Sequence, residues 1–287
     1  MSFDIARLAT RLSHQDGGVW VLDQPKAIAF PGDGNERNAD FEADSFWFAH
    51  RLRCLVTTMR AFDPGPVFVD IGGGTGFVSA AVQRQLAKHA VLFEPDAAGA
   101  RLAKKRGVDD VICGTIEAAG IEPGTLPSAG AFDVIEHIED DVAFVRTIAR
   151  LLAPGAYFYV TVPAYRSLWS QNDEFAQHYR RYTRTTLRQT IATAGLSICF
   201  ESYFFWMLPL PLFLLRALPY RLGLRRADPA SAAVRGHTPG RSAVSLVGRA
   251  ASVEPWMIAR GRSIPFGGSC LLVARKDAEP RADALRL

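Results

Sequence analysis

A glycine-rich loop that could hold a nucleotide-like ligand stands in the stretch VFVDIGGGTGF, residues 67–77. Four glycines follow an acid, Asp70, and three of them, Gly72, Gly74 and Gly76, stand at every second position. Glycine carries no side chain, so a loop of this kind lets a ligand come close to the main chain. Position 77 is Phe, which departs from the G-x-G-x-x-G spacing of dinucleotide-binding enzymes. Asp70 would also repel a pyrophosphate, whereas it would attract a ligand that carries an ammonium group and a sulfonium.

Two apolar runs place this loop in a strand–helix–strand unit. PVFVDI, residues 66–71, is a short continuous apolar run typical of a buried parallel strand. FVSAAVQRQLAKH, residues 77–89, predicts a helix, and AVLFEP, residues 90–95, predicts the next strand. Glu94 therefore lies at the end of the second strand, and the glycines form the turn between the first strand and the helix.

The pattern D-x-G-x-G-x-G, with an acid at the end of the next strand, resembles motifs I and II of class I S-adenosylmethionine-dependent methyltransferases. Two more stretches resemble the subgroup that contains ubiquinone-biosynthesis-like and type 11–12 methyltransferases. DVIEHIED, residues 133–140, matches D-V-x-E-H-x-x-D, and HYRRY, residues 178–182, matches H-x-R-R-Y. The segments FWFAHR (46–51) and SIPFGGSCLLVARK (263–276) also resemble this subgroup, so the resemblance covers about residues 46–276.

This resemblance implies an α/β fold with a Rossmann-like, seven-stranded sheet in which strand seven is antiparallel and lies beside strand five. It also implies an N-terminal extension and an insertion between strands six and seven. Four segments are expected: an extension or lid, a cofactor-binding core, the insertion, and the final strand with a C-terminal tail. Their residues are 1–45, 46–202, 203–262 and 263–287.

The cofactor implied by the resemblance is S-adenosylmethionine. The glycine loop would pass under its methionine part, and Glu94 would bind both ribose hydroxyls. Thr115 stands where family members often carry an acid that accepts from the adenine amino group. The residues expected around the cofactor are Asp70, Gly72, Gly74, Gly76, Glu94, Pro95, Thr115, Ile116, Phe132, Trp47 and Arg51.

Methyl transfer from a sulfonium is an in-line displacement that needs alignment and, for a poorly acidic acceptor, a base. His137 and His178 are the candidate bases by position, although each could instead hold a structural hydrogen bond. The candidate residues around the acceptor are Tyr165, Trp169, Arg181, Tyr182, Phe205 and Trp206. The basic cluster Arg180, Arg181 and Arg184 is expected to pair with nearby acids rather than with an anionic substrate. We expect no metal, because no His/Asp/Glu set stands at ligand spacing.

An apolar run of thirteen residues, Tyr203 to Leu215, opens the expected insertion and holds two prolines. It is too short and too broken to span a bilayer. Several arginines follow it, so three interpretations stay open: a cap over the acceptor pocket, a peripheral membrane or lipid contact through 203–226, or a homodimer contact. The stretch 227–243 is small, polar and Pro/Gly-bearing, which predicts a long loop.

The composition is that of a soluble globular protein, with a net charge of +4 and four widely spaced cysteines. Basic residues are not interleaved with aromatics, so a nucleic-acid partner is not expected. No secretory signal is visible, and we expect a cytoplasmic protein, with contact to the inner face of the membrane as an alternative. The predicted activity is methyl transfer to an oxygen or nitrogen of a small, apolar or lipid-like acceptor. The alternatives are an NAD(P)-dependent oxidoreductase and a non-catalytic scaffold subunit that binds the cofactor.

Overall fold

The computed structural model describes residues 5–14, 17–22, 42, 45–224 and 251–278. Its strands form one mixed sheet. They are β1 (Leu12–His14), β2 (Val19–Leu22), β3 (Val67–Ile71), β4 (His89–Glu94), β5 (Asp110–Cys113), β6 (Ala129–Phe132), β7 (Tyr157–Pro163), β8 (Ser197–Phe204) and β9 (Ser269–Arg275).

The helices pack on both faces of this sheet. They are α1 (Ile5–Leu8), α2 (Phe46–Ala61), α3 (Phe77–Leu86), α4 (Ala97–Lys105), α5 (Asp141–Leu151), α6 (Gln171–Phe175), α7 (Arg184–Thr193), α8 (Pro209–Leu212), α9 (Leu218–Arg221) and α10 (Val253–Ala259). A π-helical turn, Phe213–Ala217, joins α8 to α9. Short 3₁₀ turns follow three of the strands, at Ile116–Ala118, Ile135–His137 and Arg166–Leu168.

The order of the strands is β1-β2-β5-β4-β3-β6-β7-β9-β8. β9 pairs antiparallel with β7 on one side and with β8 on the other, as expected for the last strand. The prediction of seven strands is wrong, because nine strands of the described residues take part in the sheet. The additional hairpin, β1 and β2, pairs with the edge of β5, which would otherwise expose unpaired amide and carbonyl groups.

Strand β3 shows why the central strands are apolar throughout. Val69 and Ile71 pack in the core on the side that α5 covers, whereas Phe68 packs in the core formed with α2 and α3. Both faces of the strand are therefore removed from water, which is the usual state of a parallel strand between two helical layers. This burial fixes the register of β3 and so the position of the loop that follows it.

The expected insertion begins later than predicted, since Tyr203 and Phe204 still belong to β8. After this strand the chain forms the helical segment 209–221, and it returns to the sheet through α10. The predicted loop at 227–243 lies outside the described residues. No helix of the part of the chain that the structure describes combines the length and the apolar character needed to cross a membrane.

Candidate active site

The glycine loop connects β3 to α3 at the edge where the parallel strands end, which is the usual place for a ligand in an open α/β sheet. Gly72, Gly74 and Gly76 all have positive φ angles, of 68°, 55° and 74°. A Cβ atom on Gly76 would lie 2.7 Å from a methyl group of Val108 and 2.9 Å from Cβ of Ala103. The loop thus needs glycine both for its left-handed backbone and for its close packing against α4 and the residues that follow it.

Asp70 lies at the base of this loop and is buried. Its Oδ2 accepts a hydrogen bond of 2.7 Å from the Ser79 hydroxyl, whereas its Oδ1 has no hydrogen-bond partner among the described residues. Burial raises the pKa of Asp70 to about 6. A buried carboxylate oxygen without a partner is costly, so this atom is suited to a donor from a bound ligand.

Glu94 ends β4 and fastens the glycine loop to the neighbouring strand. Its two carboxylate oxygens accept hydrogen bonds of 2.8 Å from the backbone amides of Gly74 and Asp96. Burial raises the pKa of Glu94 to about 7. Because each carboxylate oxygen has two acceptor positions, the group could still accept hydrogen bonds from two hydroxyls.

The remaining predicted cofactor residues surround the same edge of the sheet. Ile116 and Phe132 are buried, and Pro95 is half-buried directly after Glu94. The Thr115 hydroxyl is buried and has no hydrogen-bond partner in the described chain, so it is available to a ligand.

Glu42 is a contributor to this region that the sequence did not reveal. Its carboxylate accepts from the Thr75 hydroxyl at 2.7 Å and forms an ion pair of 2.7 Å with Arg106. Arg106 also donates to Thr75 at 2.7 Å, so the three side chains form one buried network. The chain before α2 is thereby fastened to the glycine loop, next to the cofactor residues. Whether the whole of residues 1–45 acts as a lid stays a prediction.

Helix α2 brings Trp47 and Arg51 to the carboxyl end of β6. The Arg51 guanidinium forms an ion pair of 2.7 Å with Asp133 and lies 5.2 Å from the centre of the Trp47 ring. Trp47 is also stacked on Phe205, with ring centres 5.4 Å apart and planes within 11°. Trp47, predicted for the cofactor, is therefore in contact with Phe205, predicted for the acceptor.

Glu136 is the most unusual group at this edge. It is fully buried, and neither of its carboxyl oxygens has a hydrogen-bond partner among the described residues. Burial, reinforced by the nearby charge of Asp133, raises the pKa of Glu136 well above its usual range. The carboxyl group is therefore favoured in its neutral form, in which it can donate as well as accept a hydrogen bond. Glu136 was quoted within the sequence motif but received no role there.

The two candidate bases lie side by side after β6 and α6. The rings of His137 and His178 meet edge to face, with centres 4.7 Å apart. Burial and the neighbouring His178 lower the pKa of His137 to about 4, so His137 is neutral at physiological pH. His178 instead has a carboxylate partner, since its Nδ1 lies 2.9 Å from Oδ1 of Asp173.

Asp173 is a fully buried carboxylate that holds this cluster together. Arg181 binds both of its oxygens, at 2.6 and 3.1 Å, and the Ser170 amide donates to Oδ2 at 2.9 Å. Although burial alone would raise the pKa of Asp173, the hydrogen bonds and charges of His178 and Arg181 lower it to about 2. Asp173 is thus ionised, and it accepts a hydrogen bond from Nδ1–H of His178, which leaves Nε2 as the nitrogen of that ring that can accept a hydrogen bond.

The predicted acceptor residues do not all meet. Arg181 belongs to the Asp173 cluster, and Arg180 forms an ion pair of 2.9 Å with Asp141, so the expected pairing with acids is confirmed for two of the three arginines. Arg184 instead donates to the Ser263 hydroxyl. Tyr182 is buried, and its hydroxyl donates to Asp141 at 2.7 Å. The remaining residues are a Tyr165 ring stacked on Tyr203, a half-buried Trp169, and an exposed Trp206 that contacts Phe266.

Within the described ranges, two groups of three side chains carry ligand atoms within 4.8 Å of one another, namely Glu136, His137 and His178, and His50, Cys54 and Glu254. In the second group the Glu254 carboxylate is already used, because it accepts from His50 at 2.5 Å and from the amides of Phe205 and Trp206 at 2.8 and 2.6 Å. Both groups are assembled from separate parts of the chain, so no local spacing indicated them. The absence of a metal stays a prediction.

A family model described as a methyltransferase domain matches residues 42–199 of the chain. The chain belongs to this methyltransferase family. The match begins at the residue that fastens the chain to the glycine loop and ends within β8, so it contains every cofactor residue predicted above. Methyltransferases of this family use S-adenosylmethionine, and that cofactor prediction is confirmed at the level of the family. The motifs that suggested a particular subgroup are not tested by this match.

Solved structures of methyltransferases share the fold. The methyltransferase bound to the Trm112 activator of Haloferax volcanii is 16% identical with a TM-score of 0.54, and the match covers 87% of this chain and 96% of that one. Phosphoethanolamine N-methyltransferase 2 of Haemonchus contortus, in complex with S-adenosylmethionine, is 16% identical with a TM-score of 0.53, and the match covers 86% of this chain and 57% of that one.

The [4+2]-cyclase SpnF is similar as well, with 19% identity, a TM-score of 0.52 and coverage of 81% of this methyltransferase-family chain and 82% of that one. At these identities the likeness shows the fold and not the reaction. The search among curated proteins gives no match.

Proposed function

We propose that this protein transfers the methyl group of S-adenosylmethionine to an oxygen or nitrogen atom of a small acceptor that is apolar or lipid-like. The observation that carries the proposal is the Asp173–His178 pair, an ionised carboxylate and an imidazole 2.9 Å apart at the edge of the sheet where the glycine loop lies. Such a pair is a general base for an acceptor that must lose a proton.

On the cofactor side, the proposed contacts follow the groups that have acceptor positions left. Asp70 Oδ1 would accept from the ammonium group, and Glu94 would accept from the ribose hydroxyls. The buried Thr115 hydroxyl would contact the adenine. Bound there, S-adenosylmethionine supplies an electrophilic methyl group on a positively charged sulfur. Because Gly74 and Gly76 have no side chain, this ligand could lie close to the backbone of the loop.

On the acceptor side, we assign the base to His178 and not to His137. Asp173 orients the His178 ring and stabilises the cation that forms when Nε2 takes up a proton. His137 has a pKa of about 4, which makes it a weak base at physiological pH. Nε2 of His178 would take up the proton that the acceptor hydroxyl or amine releases as it receives the methyl group, with S-adenosylhomocysteine as the other product.

An apolar acceptor is supported by the aromatic surface beside these groups. The half-buried ring of Trp47 is stacked on the buried Phe205, and neither carries a charge, while the neighbouring Arg51 is paired with Asp133. Aromatic faces of this kind favour flat or greasy molecules over strongly hydrated ones.

The test begins with calorimetric titration of the purified protein with S-adenosylmethionine, S-adenosylhomocysteine and NAD(H). Binding of the two adenosyl ligands alone is expected. Binding of NAD(H) alone would refute the proposal in favour of the oxidoreductase alternative. An acceptor screen with labelled S-adenosylmethionine follows, starting with apolar alcohols, phenols and amines, and labelled product from any of them is the expected result. Binding of the cofactor with no labelled product would favour the scaffold alternative.

The role of His178 is tested with His178→Gln and a matched control, His89→Gln. His89 is also paired with aspartate, but it lies at the opposite end of β4. We expect kcat to fall about 100-fold or more in the His178 variant only, with unchanged cofactor affinity. Equal kcat values for the two variants would refute the assignment of His178 as the general base.

A further inference from the structure

The exposed apolar surface of this protein is concentrated in one region. Of the eleven large apolar side chains that are exposed in the described chain, nine lie in the segments 206–224 and 253–266. They are Trp206, Leu210, Leu214, Leu215, Leu222, Leu224, Val253, Trp256 and Phe266. Leu210 and Leu214, one helical turn apart, are 67% and 48% exposed. A cluster of this size on a soluble protein marks a surface that binds something.

Apart from one buried acid, the charge of the same region has one sign. Glu254 is the one acid of the segments 206–224 and 253–266 and is buried, whereas these segments contain four arginines, namely Arg216, Arg221, Arg260 and Arg262. The guanidinium carbons of Arg260 and Arg262 lie 4.1 and 6.0 Å from the centre of the Trp256 ring. Apolar side chains and guanidinium groups thus alternate over one surface, which we call the apolar–arginine surface, defined by residues 206–224 and 255–266.

This surface lies beside the candidate active site. β9 is antiparallel to both β7 and β8, so β8 runs parallel to β7 and ends at the edge of the sheet where the site is found. The surface begins two residues after that strand. Arg221 donates to the Ser167 carbonyl at 3.0 Å, in the turn that leads from β7 to α6 and its Asp173. At its other end, Phe205 is stacked on Trp47.

We propose that the apolar–arginine surface docks the protein on a bilayer that contains anionic lipids. Leucine and tryptophan side chains would enter the acyl boundary, and the arginines would stay at the level of the lipid phosphates. If the protein has the proposed function, on which this step depends, the acceptor would reach the site from the membrane. The proposed binding is peripheral and reversible.

The charge pattern favours a bilayer over a second copy of the chain. A two-fold symmetric contact brings the same patch of each subunit against the other. Here it would place arginines opposite arginines with no acid in the described surface to offset them, which costs free energy in a partly desolvated interface. An anionic lipid surface supplies the missing negative charge.

The test is flotation of the purified full chain with vesicles of phosphatidylcholine alone and of phosphatidylcholine with phosphatidylglycerol at equal amounts. Three double variants are compared with the wild type. Leu210→Asn/Leu214→Asn removes apolar surface without a change of charge, and Arg260→Glu/Arg262→Glu reverses two charges. Arg146→Glu/Arg150→Glu, on an exposed face of α5, makes the same charge change elsewhere and is the control.

We expect binding to the anionic vesicles, weakened about tenfold or more by the leucine variant and by the Arg260/Arg262 variant, but not by the control. Equal loss in the control would show general charge attraction and overturn the proposal. So would the absence of vesicle binding, or a dimer that the leucine variant dissociates. Calorimetry with S-adenosylmethionine on the same samples keeps the two proposals apart. Cofactor binding without vesicle binding overturns only this one, and vesicle binding without cofactor binding overturns only the proposed function.

Discussion

Replacing Glu94 with glutamine tests the cofactor site at the residue that has two tasks. The carboxylate holds the amides of Gly74 and Asp96, each at 2.8 Å, and is proposed to accept the ribose hydroxyls. Glutamine has only one acceptor oxygen, so an amide or a ribose hydroxyl must lose its partner, and the negative charge is lost as well. A hydrogen bond to a charged group contributes about 1.5–3 kcal/mol, which corresponds to an affinity roughly 10- to 150-fold weaker.

The stability of the Glu94→Gln variant should change much less than its affinity. The pKa of Glu94 rises from 4.5 in the unfolded chain to about 7 in the folded one, so the folded state binds the proton more tightly. The free energy of unfolding therefore falls as the pH rises from 4.5 to 7, by about 3 kcal/mol for this group. Glutamine does not ionise, so the variant avoids this loss of stability, but it also loses one backbone hydrogen bond that contributes a similar free energy. At pH 8 the two effects therefore offset each other.

The assay is calorimetry with S-adenosylmethionine between pH 6 and 8, with urea unfolding of the same samples. Wild-type affinity should fall as the pH drops below 7, because the proton occupies the acceptor that the ribose needs. The variant should bind weakly throughout, with less dependence on pH. Glu117→Gln, an exposed acid two residues after Thr115, is the matched control. Wild-type affinity in the Glu94 variant at pH 8 would refute the assignment of the ribose site.

Three further variants test the packing around the site. Gly76→Ala should lower the free energy of unfolding by about 2–3 kcal/mol in urea titrations, because its Cβ would overlap α4 and its φ is 74°; an unchanged midpoint would contradict the tight fit. Asp173→Asn should lower the free energy of unfolding by about 3–5 kcal/mol at pH 7, since Arg181 loses a buried partner. A decrease below 1 kcal/mol would show that the pair does not stabilise the fold. Wild-type stability should also fall by about 2 kcal/mol as the pH drops from about 4 to 2, because Asp173 then takes up a proton; a flat acid profile would argue against this. Glu254→Gln should lower the free energy of unfolding by about 1–3 kcal/mol, because His50 and two backbone amides share its carboxylate. Thermal unfolding measures the change, and an unchanged melting temperature would contradict the prediction.

Local pattern was sufficient for the elements that flank the glycine loop. The alternating glycines and the acids at the ends of two apolar runs placed Asp70 and Glu94 correctly at the ends of β3 and β4. The bounds and pairing of the hairpin β1–β2 could not be predicted, because strands of three and four residues carry little pattern and the open edge of β5 decides their pairing. A short local motif can show where a strand ends, but not what pairs with its edge.

The side chains that support the site could not be found from sequence in the same way. Glu42 meets its hydroxyl partner across 33 residues, and Glu254 meets His50 across 204. A surface carboxylate and a buried one look alike in sequence, because burial depends on what the fold packs around them. Glu136 shows the same difficulty, since the motif that contains it gives no sign that both its oxygens lack partners.

The position of β9 has a consequence for the order of synthesis. This strand, residues 269–275, lies between β7 and β8 in the sheet, and both of its neighbours leave the ribosome first. Until β9 emerges, the inner edges of β7 and β8 have no partner, although both strands are rich in buried apolar side chains. Nascent chains that end before residue 269 should therefore expose two unpaired, aggregation-prone strand edges at once. Such chains should depend on chaperones far more than chains that extend a few residues beyond 275.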